Sequence, residues 1–332
     1  MKAIVFERYG TPDLLKVAEV EKPSSRDHQV LIKVRAAAAN PADYQTVRGD
    51  VRPITGLFKP QRRNRLGYDV AGVVEAVGDK VTRFKPGDSV FGSCSADPTL
   101  DSQSVWIFDL GSFADYTVTH EGALALKPEA ISFEVAAAVP TAGWVALQGV
   151  RNFGKIRAGQ SILISSATGG IGTFAVQIAK ALGAEVTGVC SAKNAELVRS
   201  LGADHIIDYA KEDYSTHHGR YDVIFDSVSN HSLFALKRCL KPGGKVVFVG
   251  VRKGGPYNPP FWGRMLLVQL LSYTVADGSR PNADDLNLLG DWVTTGKIKP
   301  VIAKIYAGLD RVPEAVQFVK DGHAWGKVVV TL

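Results

Sequence analysis

The segment that most restricts this chain is Ile164-Ser165-Ser166-Ala167-Thr168-Gly169-Gly170-Ile171-Gly172. It closes an apolar run at 161–167 that suits a buried strand. It also opens a stretch at 170–182 whose apolar residues recur at helical spacing, ending at Gly183. Passing from strand to helix in so few residues requires glycine, because the turn is tight, the backbone approaches a ligand closely and the helix packs close to the strand. The helix start then offers free N–H groups and a partial positive charge to a phosphate. The pattern departs from the common G-x-G-x-x-G, since Ala167 stands where the first glycine belongs. Such a turn alone is also compatible with a merely tight connection. Its weight comes from its surroundings.

Those surroundings are an alternation of strands and helices. Strands are expected at 161–167, 185–191, 205–209, 221–228 and 245–250, and helices at 170–182, 195–201 and 230–240. Short connections in strict alternation specify a doubly wound parallel sheet, so the fold class is α/β. The first 125 residues read differently. Short strands with turn punctuation, including Lys85-Pro86-Gly87-Asp88, suggest a small β-barrel with few helices. After Pro259-Pro260, helices are expected at 261–271, 284–295 and 312–320, and a last strand at 327–332. A terminal strand usually docks onto an existing sheet, so the tail is expected to rejoin the first part. The expected domains are therefore 1–125 plus 265–332, with a nucleotide-binding domain at 126–264.

Composition excludes several classes. The net charge of +6 is dispersed, with its densest run at Lys59, Arg62, Arg63 and Arg65. That run reads as a solvated loop or an anion-attracting patch, and no stacking-aromatic motif accompanies it, so a nucleic-acid partner is not expected. The three cysteines, Cys94, Cys190 and Cys239, have no C-x-x-C spacing and build no disulfide or zinc ribbon. With no signal peptide and no membrane-length apolar run, the chain reads as soluble and cytoplasmic.

The end of the second strand of the alternating region identifies the dinucleotide. An NAD site usually places Asp or Glu there for the ribose hydroxyls. This chain has Cys190-Ser191-Ala192-Lys193-Asn194. A carboxylate would repel a 2′-phosphate, whereas a hydroxyl and an ammonium bind one, so NADP(H) is the expected cofactor. Lys193 also reads as an ordinary surface lysine at a helix start.

At this point the residues resemble the medium-chain dehydrogenase/reductase superfamily, in its zinc-free quinone oxidoreductase and enoyl reductase branch. The resemblance spans nearly the whole chain. It rests on Asn40-Pro41-Ala42-Asp43, Gly67-Tyr68-Asp69-Val70-Ala71-Gly72, Lys85-Pro86-Gly87-Asp88-Ser89-Val90, the turn from Ala167 to Gly172, Leu201-Gly202-Ala203-Asp204, and the ending Gly322-His323-Ala324-Trp325-Gly326-Lys327-Val328-Val329. It implies a GroES-like β-barrel domain with an inserted Rossmann domain, a nicotinamide-holding cleft between them, and a homodimer. It also implies residue roles. Thr168, Gly169, Gly170 and Ile171 would hold the pyrophosphate. Ser191 and Lys193, with Asn194 nearby and Tyr209 flanking, would hold the 2′-phosphate. Gly250 and Val251 would lie at the nicotinamide, with Trp325 and Lys327 near the cofactor from the barrel side. Asn40 would line the active site, although it also suits a turn cap. Val145 stands where many quinone reductases place a threonine, and receives no role.

The departures bear on chemistry. Zinc-dependent members carry a cysteine near position 40 and Gly-His-Glu where this chain has Gly67-Tyr68-Asp69, and Cys94 is the only cysteine between Val90 and Phe113. Catalytic zinc needs three protein ligands, so no metal site is expected. Without a Lewis acid, electron-poor acceptors suit the site best: quinones, or C=C bonds conjugated to a carbonyl. Tyr44, just after the Asn40 motif, is the candidate hydrogen-bond donor to the developing oxyanion, or else a partly buried barrel tyrosine. Phe261, Trp262, Met265 and Leu266 suit an apolar substrate pocket or plain packing. The segment 93–111, in place of the structural zinc lobe, either covers a substrate cleft or packs on the barrel. Two alternatives stand beside this reading: a carbonyl reductase or alcohol dehydrogenase of the same fold, and a non-catalytic NADPH-binding protein acting through partners or RNA.

Overall fold

The computed structural model describes residues 1–50, 60, 65–94, 111–249, 273–274, 282–322 and 324–332. Gly250, Val251, Lys59, Arg62, Arg63, the helix expected at 261–271 and nearly all of the 93–111 segment lie outside the described residues. Near the N-terminus, β1 (Lys2–Val5) and β2 (Lys16–Glu19) pair as an antiparallel ribbon. The strands β3 (Gln29–Ala39), β4 (Asp69–Val77), β5 (Ser89–Ser93), β6 (Tyr116–His120) and β7 (Leu124–Leu126) form the antiparallel part of a larger sheet. Alternate residues of β3, Val30, Ile32 and Val34, share a core with Val70, Val74, Val90 and Leu124, the period-two burial of a sheet with one packed face.

Helices are more frequent here than the sequence suggests. α1 (Pro41–Arg48) follows β3 directly. Pro41 occupies its first turn, where the missing N–H is harmless, and Gly49 ends it at φ 87. α2 (Phe133–Ala137) is capped by Ser132, whose hydroxyl accepts from Val135 N, and packs against β3, β4 and β5. α3 (Pro140–Leu147) follows.

The alternating region builds the expected parallel sheet from β8 (Ser161–Ile164), β9 (Glu185–Cys190), β10 (His205–Asp208), β11 (Tyr221–Asp226), β12 (Leu240–Phe248) and β13 (Tyr273–Thr274), in the order β10-β9-β8-β11-β12-β13. Every pairing is parallel. The chain leaves the centre first toward β10 and then toward β13, so the switch point lies at the carboxyl ends of β8 and β11. The connecting helices are α4 (Gly170–Ala181), α5 (Ala195–Ser200) and α6 (Leu233–Cys239). α6 starts three residues later than expected because the Ser232 hydroxyl caps it by accepting from Ala235 N at 3.2 Å.

The tail supplies α7 (Ala283–Thr294), β14 (Ile302–Ala307), α8 (Val312–Lys320) and β15 (Lys327–Thr331). β15 pairs antiparallel with β3, so the last strand does rejoin the N-terminal sheet, and β14 adds in parallel outside it. The chain divides into two compact units. One comprises Met1–Trp144, Gly278–Thr295 and Pro300–Leu332, and the other Val145–Asp277 and Gly296–Lys299. The first boundary falls after residue 144 rather than 125, because α2 belongs with the strands on which it packs.

Candidate functional site

In the nucleotide unit, Thr168 and Gly169 form the turn, and Gly170 and Ile171 open α4 with Gly169 as N-cap. The N–H groups of a first helical turn have no partner inside the helix, so this end presents donors for a pyrophosphate. Gly172 is dictated by space: a Cβ there would stand 1.7 Å from the Ser166 carbonyl oxygen. The alanine at 167 is accommodated from the neighbouring strand. Gly188 on β9 has no side chain, and a Cβ on it would stand 3.1 Å from the Ala167 Cβ and 2.6 Å from Val198 Cγ1. The glycine missing from the turn reappears opposite it.

The residues expected to hold the 2′-phosphate are brought together at the carboxyl ends of β9 and β10. Ser191 starts a short turn over Ala192–Asn194, and the Asn194 side-chain amide donates to the Ser191 hydroxyl at 3.3 Å. Because Asp208 pairs with Cys190, the next residue, Tyr209, lies beside Ser191; its N–H donates to the Cys190 carbonyl, and its side chain is 65% exposed. Lys193 is exposed, and no carboxylate pairs with it among the described residues.

In the other unit, strand register assembles a buried polar cluster. Val328 sits opposite Ala39, and Ala38 opposite Asp69, so Lys327, Asn40 and Asp69 gather at one end of three strands. The Lys327 ammonium donates to Asn40 Oδ1 at 2.6 Å and to Asp69 Oδ2 at 3.0 Å. Asn40 Nδ2 donates to the Ala38 carbonyl and to Asp69 Oδ2. Asp69 Oδ1 accepts from both the N–H and the hydroxyl of Thr141. The ion pair is sequestered, with side-chain exposures of 3% for Lys327 and 0% for Asp69. Gly326, at φ 124, must precede Lys327, since a Cβ there would meet the Val301 carbonyl oxygen at 2.4 Å. Trp325 is partly exposed. Tyr44 packs against the core around Phe6 and Val47, with the Arg48 guanidinium over its ring, and its hydroxyl makes no hydrogen bond among the described residues.

Sequence reasoning named Lys327 and Asn40 separately and read Asp69 as a leftover of a metal motif. It missed Thr141 and missed that all four form one network. The available signal was an acid in the otherwise apolar start of β4, which has to find partners when buried.

Asp43 is a second buried acid. Its oxygens accept from the N–H groups of Asn40, at 2.7 Å, and Gly67, at 3.0 Å. Desolvation outweighs these bonds and pushes its carboxyl up to about 7. A carboxyl whose folded value lies above its unfolded one binds protons more tightly in the folded state, so stability falls as pH rises through that window. We expect the melting temperature of the wild type, relative to Asp43→Asn, to fall from about pH 4 to about pH 7 and level off above. A difference that stays flat across this range in scanning calorimetry would contradict the assignment.

Among the described residues no group of three or more His, Cys, Asp or Glu is placed to hold a metal ion. Tyr68, in the position of the metal-binding histidine, lies near the Thr46 hydroxyl at 3.4 Å, and Asp69 is saturated by Lys327, Asn40 and Thr141. This donor set does not suit zinc.

Comparison with known proteins agrees with the architecture. Residues 26–129 match the alcohol dehydrogenase GroES-like domain, and residues 201–330 match the zinc-binding dehydrogenase family. The chain is 36% identical to the NADPH-dependent alkenal/one oxidoreductase, chloroplastic, of Arabidopsis thaliana, over 99% of this chain and 79% of that one. It is similar to the quinone oxidoreductase of Coxiella burnetii, with a TM-score of 0.85 and 29% identity over 100% of this chain and 99% of that one. It is also similar to the Escherichia coli quinone oxidoreductase complexed with NADPH, with a TM-score of 0.81 and 25% identity over the full length of both. The chain belongs to the medium-chain dehydrogenase/reductase superfamily, among its NADPH-dependent quinone and alkenal/one oxidoreductases.

Proposed function

We propose that this protein uses NADPH to reduce a quinone or a C=C bond conjugated to a carbonyl, and does so without a catalytic metal. The observation that carries the metal-free reading is the Lys327 ammonium, which fills the donor cluster of Asn40 and Asp69 where zinc-dependent members of the family place their ligands. NADPH, when bound, supplies the hydride.

The chain's own residues do the rest. The start of α4 holds the pyrophosphate, and Ser191, Lys193, Asn194 and Tyr209 hold the 2′-phosphate. Both hydrogens of the Asn40 amide are engaged by Ala38 and Asp69, so Asn40 serves to hold the Lys327–Asp69 pair. The Tyr44 hydroxyl is the donor to the developing enolate or quinolate oxygen, and the remaining proton comes from water. Resemblance to the family supports a homodimer, and the scarcity of cysteine supports a reducing compartment such as the cytoplasm.

Oxidation of NADPH and of NADH is to be followed with a 1,4-naphthoquinone, an ortho-quinone, a 2-alkenal and a simple ketone, with and without chelator. Quinone or alkenal turnover with NADPH, indifferent to chelator, is the expected result. Lys193→Ala should raise KM for NADPH about tenfold, the loss of one charge-assisted bond, and leave that for NADH unchanged. Turnover of the ketone alone, or activity abolished by chelator, would overturn the reading.

A further inference from the structure

Asp226 ends β11 and Ser165 follows β8, and the register pairing of Phe225 with Ile164 sets the two side by side at the switch point. The Ser165 hydroxyl donates to Asp226 Oδ1 at 2.8 Å. The same oxygen accepts from Val228 N at 3.1 Å and from Ser229 N at 3.0 Å, while the Ser165 oxygen accepts from Ser227 N at 2.9 Å. Three consecutive N–H groups of the loop after β11 thus hang on one carboxylate oxygen and one hydroxyl. They hold Ser229 at φ 57, in the left-handed region that a serine seldom occupies. Asp226 itself is completely buried, and among the described residues its second oxygen, Oδ2, has no hydrogen-bond partner. A buried carboxylate with an idle oxygen is costly to retain for packing alone. What the carboxylate offers over an amide is a stronger acceptor for the donors crowded on Oδ1.

The halves of a doubly wound sheet each take one mononucleotide of a dinucleotide. β8 to β10 carry the glycine turn and the phosphate residues, so the loop after β11 faces the other half. We propose that Asp226 is a positioning residue for the nicotinamide half of the cofactor, fixing the 227–229 loop against it through Oδ1 and the Ser165 hydroxyl. The inference rests on the NADPH reading above.

Its test compares two ligands, NADPH and 2′,5′-ADP, which lacks the nicotinamide half, by titration calorimetry. In Asp226→Asn, whose neutral oxygen accepts less strongly, the Kd for NADPH should rise about tenfold. In Asp226→Ala it should rise further, and in both the Kd for 2′,5′-ADP should stay within about twofold of the wild type. If Asp226→Ala does not fold, Ser165→Ala, which removes both hydroxyl bonds and keeps the carboxylate, should show the same split. Equal weakening of both ligands, or no weakening of either, would overturn the proposal. A wild type that binds 2′,5′-ADP and NADPH no better than 5′-AMP would instead remove the cofactor reading on which it stands.

Discussion

Gly172→Ala should strip the protein of NADPH binding and melt its nucleotide unit well below the wild type. The new methyl would sit 1.7 Å from the Ser166 carbonyl oxygen, and the obstacle is backbone, which cannot rotate aside as a side chain can. Overpacking a core usually costs about 1–3 kcal/mol, and a backbone clash this deep belongs beyond the upper end of that range. At roughly 2–4 °C per kcal/mol for a unit of this size, the melting temperature should fall by about 10 °C or more. Relief can come only by pushing Ser166 or the start of α4 outward, which displaces the Thr168–Ile171 backbone from any bound pyrophosphate. Gly169→Ala is the control for stability, and its melting temperature should stay near that of the wild type. Its φ of −67 is one that alanine adopts freely, and its nearest neighbour is the Ser166 hydroxyl at 3.2 Å, which can turn away. Calorimetry on the two variants and NADPH titration of Gly172→Ala decide the matter, and wild-type values for Gly172→Ala would refute the packing argument.

Lys327→Met should be the most damaging single change in the other unit. It leaves the Asp69 carboxylate buried with hydrogen bonds from Thr141 and Asn40 but no opposing charge. Removing one member of a buried ion pair costs about 3–5 kcal/mol, far more than the intact pair contributes, because the remaining charge keeps its desolvation penalty. The Asn40 carboxamide also loses the donor that fixes its oxygen, so the start of α1 should loosen. Adding Asp69→Asn to Lys327→Met removes the stranded charge and should restore about 1–3 kcal/mol of what was lost. Urea denaturation of the two single variants and the double variant measures this coupling. Additive losses would show that the two side chains do not act as a pair.

The parallel sheet was legible because its strands are buried on both faces and its helices show a single apolar stripe, so the period of the sequence changes at each junction. α2 and α3 were not legible. α2 is only five residues long, too short for a period to show, and α3 is buried at Ala142, Trp144, Ala146 and Leu147, so it is apolar nearly all round and has no stripe to read. β14 escaped for the opposite reason: as an outer strand, with Lys304 and Ile305 exposed, it lacks clean alternation. At the sites, the residues proposed for the 2′-phosphate could be named together because Ser191, Lys193 and Asn194 follow directly on the strand that carries them. The cluster of Asn40, Asp69, Thr141 and Lys327 joins positions up to 287 residues apart, and nothing local in any one segment announces the others. Asp226 was invisible in the same way, an acid at a strand end whose partners are set by the register of β11 against β8.

The packing between Ala167, Gly188 and Val198 has a consequence for how this turn can change over generations. A methyl group at 188 would meet Val198 Cγ1 at 2.6 Å and the Ala167 Cβ at 3.1 Å, so a return to glycine at 167 relieves only the milder of the two contacts. A lineage can therefore acquire alanine at 188 only after, or together with, a smaller residue at 198, whatever stands in the turn. Relatives with a side chain at the facing strand position should carry alanine or glycine where α5 here has Val198, and an insertion or deletion that slides β9 along that helix would dissolve the dependence.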